Sequence, residues 1–154
     1  FGYAEPPWPT ALDMYREIRR VTPDSLTYLL KDHFEYITLY NNRITEATAT
    51  MSPDSSYTVS VKLTAEKVHA DSLGGETKVP MNDWMDIAIE RRPVYGKNAD
   101  KSLNDVPLAQ RRVRLTSGEN TFTFQVAVKP LAAVIDPDHL FFDRVPEDNR
   151  KKVD

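Results

Sequence analysis

A chain of 154 residues, 40% of them hydrophobic and 28% charged, has the length of one domain and can bury roughly two thirds of its unfolded surface. It has no cysteine, which excludes disulfide staples, thiolate metal sites and a cysteine nucleophile. Twenty basic residues against 23 acidic give a formal charge of −3, which argues against a general nucleic-acid binder, and no apolar run reaches the ~18 residues of a membrane-spanning helix.

The chain opens on Phe1-Gly2-Tyr3-Ala4-Glu5-Pro6-Pro7-Trp8-Pro9, with no initiator methionine, basic flank or apolar signal core, and reads as a piece of something longer. The prolines favour an extended path, which reads either as a ligand for a groove-binding module or, the preferred reading, as a tether whose Tyr3 and Trp8 pack on their own domain. Thr10 is a good helix cap with Asp13 three residues on. Leu12, Tyr15 and Ile18 then recur at a spacing of three, which predicts a helix over about Ala11 to Arg20. Thr22-Pro23-Asp24-Ser25 is a second start signal, and Leu26, Leu29, Leu30, Phe34 and Ile37 supply a second stripe on a helix to about Glu35. Two short amphipathic helices cannot bury their stripes alone.

From Asn42 the period changes to two. A strand over Arg43 to Met51 is followed by the turn Ser52-Pro53-Asp54-Ser55. In the next, Tyr57, Val59, Val61, Leu63 and Ala65 face one way while Thr58, Ser60, Lys62, Thr64 and Glu66 face the other. After a turn at Asp71-Ser72-Leu73-Gly74-Gly75 comes a strand near Trp84 to Glu90, with Met85, Ile87 and Ile89 on one face. Pro93 to Pro107 reads as a polar loop insertion. Val113 and Leu115, the turn Ser117-Gly118-Glu119-Asn120, and then Phe122, Phe124, Val126 and Val128 predict a hairpin. Pro130 ends that strand, and Leu131 to Ile135 is a short apolar run. The fold class is therefore mainly β, an immunoglobulin-like antiparallel β-sandwich preceded by two short α-helices. The boundaries are a lead and two-helix connector over 1–41, a sandwich over 42–146, and a charged tail over 147–154 that should fray.

Catalytic patterns are missing. His33, His69 and His139 are scattered, and none begins a His-Glu-x-x-His helix. No Gly-x-Ser-x-Gly elbow occurs, and Gly74-Gly75 lacks the lysine of a phosphate loop. Asp83 and Asp86 flank Trp84 but, three apart on a strand, point to opposite faces; they read as strand-end and solvent-facing acids. Asp71 and Glu76 lack the oxygen-ligand spacing of a calcium loop. Arg111, Arg112 and Arg114 read as a solvated strand face with one inward partner, a run too short for nucleic acid. No catalytic, metal or cofactor-binding residue is assigned.

Several segments in order carry a resemblance: Pro9-Thr10-Ala11-Leu12-Asp13, Thr22-Pro23-Asp24-Ser25-Leu26, and Phe34-Glu35-Tyr36-Ile37-Thr38-Leu39-Tyr40-Asn41-Asn42-Arg43. Later come Val79-Pro80-Met81-Asn82-Asp83-Trp84-Met85-Asp86-Ile87, Thr116-Ser117-Gly118-Glu119-Asn120, Ile135-Asp136-Pro137-Asp138, and Asp143-Arg144-Val145-Pro146-Glu147-Asp148-Asn149. The series resembles the extreme C-terminal region of large bacterial proteins in which an ABC-transporter permease is fused to an aminopeptidase N-like zinc peptidase. In that family the zinc ligands and general-base glutamate lie on an upstream His-Glu-x-x-His helix that no position here matches. The resemblance implies a non-catalytic accessory sandwich on the extracytoplasmic, periplasmic side of the inner membrane, packing against or gating the upstream peptidase domain. Zinc is expected in that upstream domain and not in this chain. Tyr3, Trp8, Tyr15 and Ile18 are the candidate interface. The alternative is a stand-alone immunoglobulin-like binding module for peptide or carbohydrate, using aromatics such as Tyr3, Trp8, Trp84 or Tyr95.

Overall fold

The computed structural model describes residues 7–95 and 100–154. The chain divides into two compact units, one of residues up to Thr38 together with His69–Glu76, the other of Leu39–Val68 together with Thr77–Asp154. No helix among the described residues is long and apolar enough to cross a membrane.

The first unit holds both helices. Helix α1 spans Ala11–Val21 and starts on a capping box: the Asp13 N–H donates to the Thr10 hydroxyl, and the Thr10 N–H donates to the Asp13 carboxylate at 2.8 Å. It stops where the Thr22 hydroxyl donates to the Ile18 carbonyl at 2.7 Å and Pro23 removes the next donor. The expected single second helix comes in two pieces, a 3₁₀ turn over Asp24–Leu26 and helix α2 over Thr27–Phe34. The helical start at Pro23 is real, but Leu26 at φ −111° and ψ 3° breaks the α geometry between the pieces. Leu30 is buried from the second stripe, while Phe34 and Ile37 stay exposed. The turn at Asp71 closes this unit's other segment: its carboxylate accepts the N–H groups of Leu73 and Gly75, and a side chain at Gly75 would run into that carboxylate.

Strands β1 (Ile37–Tyr40), β4 (Lys67–Ala70) and β5 (Glu76–Val79) hydrogen-bond in the order β1–β4–β5, and each begins in one unit and ends in the other. The second unit is a β-sandwich. One sheet contains β2 (Arg43–Met51), β3 (Tyr57–Ala65) and β8 (Gly118–Val126), in the order β2–β3–β8. The other contains β6 (Asn82–Arg91), β7 (Ala109–Thr116), β9 (Pro130–Ile135) and β10 (Arg150–Lys152), in the order β10–β9–β6–β7. Every pairing within these two sheets is antiparallel. The alternation read from the sequence faces the core as expected. Val59, Val61 and Leu63 from one sheet meet Met85, Ile87, Ile89, Leu115 and Ile135 from the other, all at most 1% exposed.

Two expectations are corrected. The segment around Ser117 is not a hairpin: β7 pairs with β6 and β8 with β3, so Ser117 alone steps from one sheet to the other. Gly118 at φ +93° gives the corner its left-handed backbone, and the Ser117 hydroxyl accepts the Met81 N–H at 2.9 Å. Alternation reveals which way a strand faces but not which strand lies beside it, so the same pattern fits both arrangements. In an immunoglobulin constant domain the fourth strand lies beside the fifth. Here the fourth strand of the sandwich, β7, pairs with the third instead. The tail does not fray either. Pro146–Asn149 forms a 3₁₀ turn, β10 pairs with β9, Val153 joins the core, and the backbone of Asp154 bonds Ala47 and Ala49. Its three charged strand residues all stay exposed while the backbone pairs with β9, so no side-chain period marks the strand in the sequence. The insertion over Pro93 to Pro107 carries a 3₁₀ turn at Lys101–Asp105, with residues 96–99 outside those described.

Val61 is fully buried, whereas Lys62 on the same strand is half-exposed and pairs with Glu46 at 2.8 Å. Val61→Asp should therefore cost several kcal/mol in a urea titration, since it buries an unpaired charge. Lys62→Asp should leave the unfolding midpoint close to that of the parent. Similar midpoints for the two variants would contradict this facing.

Candidate functional site

The most concentrated polar chemistry in the sandwich unit lies around Asp83. Asp83 is the second residue of β6 and shares its parity with Met85, Ile87 and Ile89, so the pleat turns its carboxylate inward. It is 2% exposed, which corrects the expectation of a solvent-facing acid. Lys67, the first residue of β4, brings its Nζ to 2.9 Å from Oδ2 and 3.2 Å from Oδ1, and is itself 6% exposed. The hydroxyl of Tyr40, the last residue of β1, donates to the same Oδ2 at 3.0 Å. The sequence did carry a signal for this: an acid in phase with an apolar face is inside unless the strand bulges. Asp86 has the opposite parity and points outward, where Arg112 on β7 bonds both of its oxygens at 2.9 and 3.1 Å.

The segment after β9 is wrapped around this cluster. Asp136, 5% exposed and at φ +49°, accepts the N–H groups of Leu140 and Phe141 at 3.0 and 2.9 Å. That turn presses the Phe141 ring edge-on against Tyr40, with centroids 5.1 Å apart. The Tyr40 backbone bonds Phe142 and Arg144, and the Asn42 N–H donates to the Asp143 carboxylate at 2.9 Å. Asn42 is 1% exposed, with its amide 3.5 Å from the Met85 sulfur. Arg43 reaches Asp148 at 3.8 Å. Burial is the main cause that raises the Asp148 carboxyl above its ordinary range, aided by neighbouring Asp143. The segments around Tyr40-Asn41-Asn42-Arg43, Asp83, Asp136 and Asp143 that carry the resemblance thus converge on one buried polar framework.

The first unit has a second cluster. His69 Nε2 lies 3.0 Å from Asp32 Oδ1, Asp32 is 7% exposed, and the Tyr36 ring stacks on the His69 imidazole at 4.2 Å. His33 and His139 are exposed. Among the described residues no three His, Asp or Glu side chains come together as a metal-ligand set.

The candidate interface residues are placed unevenly. Tyr3 lies outside the described residues. Trp8 is 55% exposed. Tyr15 is half-buried, its hydroxyl donating to the Glu35 carboxylate and its ring edge-on to Phe34, and Ile18 is also half-buried. The Glu35 carboxylate is the main cause that raises the Tyr15 hydroxyl above its usual range. Of the other aromatics, Trp84 carries the Arg114 guanidinium 4.8 Å from its ring centroid, and Tyr95 is exposed. A cleft of about 440 Å³ opens over the outer face of the four-stranded sheet, floored by Ala88 and Val134 and edged by Arg91, Asn104, Asp105 and the Glu90–Arg150 pair.

The Arg112 guanidinium holds the Asp86 carboxyl below the ordinary carboxylate range. A depressed folded-state value stabilises the fold above the unfolded value of about 3.9, and that contribution disappears as pH falls through the folded value. The stability gap between the parent and Asp86→Asn should therefore close as urea titrations are carried from pH 7 down to pH 3. A gap that stays constant would show the ion pair to be unlinked to folding. Asp136→Ala should cost about 1–3 kcal/mol, because it orphans two backbone donors, and should loosen Phe141 from Tyr40 in the near-ultraviolet dichroism.

Comparison of the chain with protein-family models, with curated proteins and with solved structures finds no match.

Proposed function

We propose that this chain is a non-catalytic accessory domain of a membrane-associated, aminopeptidase N-like zinc peptidase fused to an ABC-transporter permease. In that setting its sandwich is of immunoglobulin-like type, lies on the periplasmic side of the inner membrane, and packs against or gates the upstream peptidase domain. The ordered series of motifs supports the reading, and so does what those motifs do in this chain. Tyr40 and Lys67 meet Asp83, and Asp136 and Asp143 spend their carboxylates on backbone N–H groups, as the framework of a support domain does. No residue matches the zinc ligands, so no catalytic role passes to this chain.

The observation that carries the docking role is α1. It is strongly amphipathic and well capped, yet none of its residues is buried. Leu12, Met14 and Val21 are 64%, 49% and 69% exposed, beside Trp8 at 55%. Exposed apolar groups gathered on one capped helix suit a surface that a partner covers. Tyr15 is tied to Glu35 and Phe34 within the helical unit and Ile18 is half-buried, so Leu12 and Trp8 are the cleaner probes of docking.

The test uses the upstream peptidase domain and this chain as separate proteins. The parent chain should bind the peptidase domain, and Leu12→Asp together with Trp8→Ala should weaken binding by at least about tenfold without lowering the chain's own melting temperature. A peptidase domain that ignores the parent chain, or binds both versions equally, would overturn the reading.

A further inference from the structure

We infer that Lys67 and Asp83 form an intramolecular amide bond, Nζ to Cγ, that covalently ties β4 to β6. Three observations within the sandwich unit carry it. The Lys67 nitrogen is held against both oxygens of Asp83, at 2.9 and 3.2 Å, so nucleophile and carboxyl group are already in contact and only a short shift brings Nζ over the carbon. Both side chains are dry, at 7% and 3% exposure, so hydrolysis and competing nucleophiles are kept away. The Tyr40 hydroxyl donates to Oδ2, the oxygen nearer to Nζ, and Tyr40 is held in place by Phe141 at its ring and by Phe142 and Arg144 along its backbone.

The step balances without any co-reactant. The Lys67 ammonium gives a proton to Oδ2, leaving a neutral amine beside a neutral carboxylic acid. Nζ adds to Cγ and forms the C–N bond. Tyr40 passes its proton to Oδ2 and takes one from Nζ, and the C–Oδ2 bond breaks with loss of water. Oδ1 remains as the amide oxygen. The product removes two charges from an interior where an ion pair barely recovers its desolvation cost. It also closes the chain segment from Lys67 to Asp83, the segment that leaves the sandwich for the first unit at His69–Glu76 and returns.

Intact mass spectrometry of the denatured chain reads the bond directly. The parent should lie about 18 Da, one water, below the mass of its sequence. Digestion should yield a branched peptide joining residue 67 to residue 83. Lys67→Arg, which keeps the charge but cannot complete the bond, should return the full mass, whereas Lys62→Arg at an exposed position should keep the deficit. A parent at full sequence mass overturns the inference. So does a deficit that persists in Lys67→Arg, or one that fragmentation places at another residue. Because the decisive reading is made on the parent, poor folding of a variant does not blunt it, and neither outcome bears on docking to a peptidase.

Discussion

A carboxylate that the pleat of β6 turns into an apolar interior must find partners there, and Asp83 organises the end of the sandwich by that requirement. Lys67 and Tyr40 come from two other strands to meet it, which fixes where β1 and β4 sit along β6. Removing Lys67 would leave a buried charge, so the contact ties the end of β1 and the starts of β4 and β6 together. Tyr40 in turn is held by the segment after β9, whose turn exists because Asp136 accepts two backbone donors. Each polar group in this region is placed by the demands of the next.

The position of β7 has a different cause and its own consequence. Pairing with β6 leaves the outer edge of β8 without a strand neighbour, and unpaired edges invite association. Arg111 covers part of that edge. It donates to the Thr123 carbonyl at 3.3 Å and lies 4.7 Å from the Phe124 ring centroid. The neighbouring Arg112 and Arg114 go to Asp86 and Trp84 across the β6–β7 ladder. The short basic run is therefore three separate structural contacts, one at the inter-sheet corner and two on the sheet's outer face.

Burial divides the labour between the two units. In the sandwich unit the apolar residues are spent on a dry core, and the buried acids Asp83 and Asp136 are each met by donors. In the helical unit α1 buries nothing, and its fixed contacts are polar or aromatic: the capping box, the Tyr15–Glu35 bond and the Tyr15–Phe34 edge contact. A helix of that length gains little from propensity alone and depends on packing.

What the sequence determined by itself were the local elements. Period-two alternation placed β3 and its facing, because a half-buried strand must alternate, whereas in β2 a register shift after Ile44 puts the buried Ile44 and Ala47 three apart. Thr10 with Asp13 placed the start of α1, because a cap acts on groups within one turn. The parity of Asp83 with Met85, Ile87 and Ile89 already held its burial, although composition alone made it look like a surface acid. Only the tertiary structure decided which strands are neighbours. A corner and a hairpin have the same alternation at Ser117, and a short charged tail shows no period that would mark its ladder with β9. It also decided the partners of Asp83. Lys67 is 16 residues away and Tyr40 is 43, and separations of that length are closed by packing that no local pattern records.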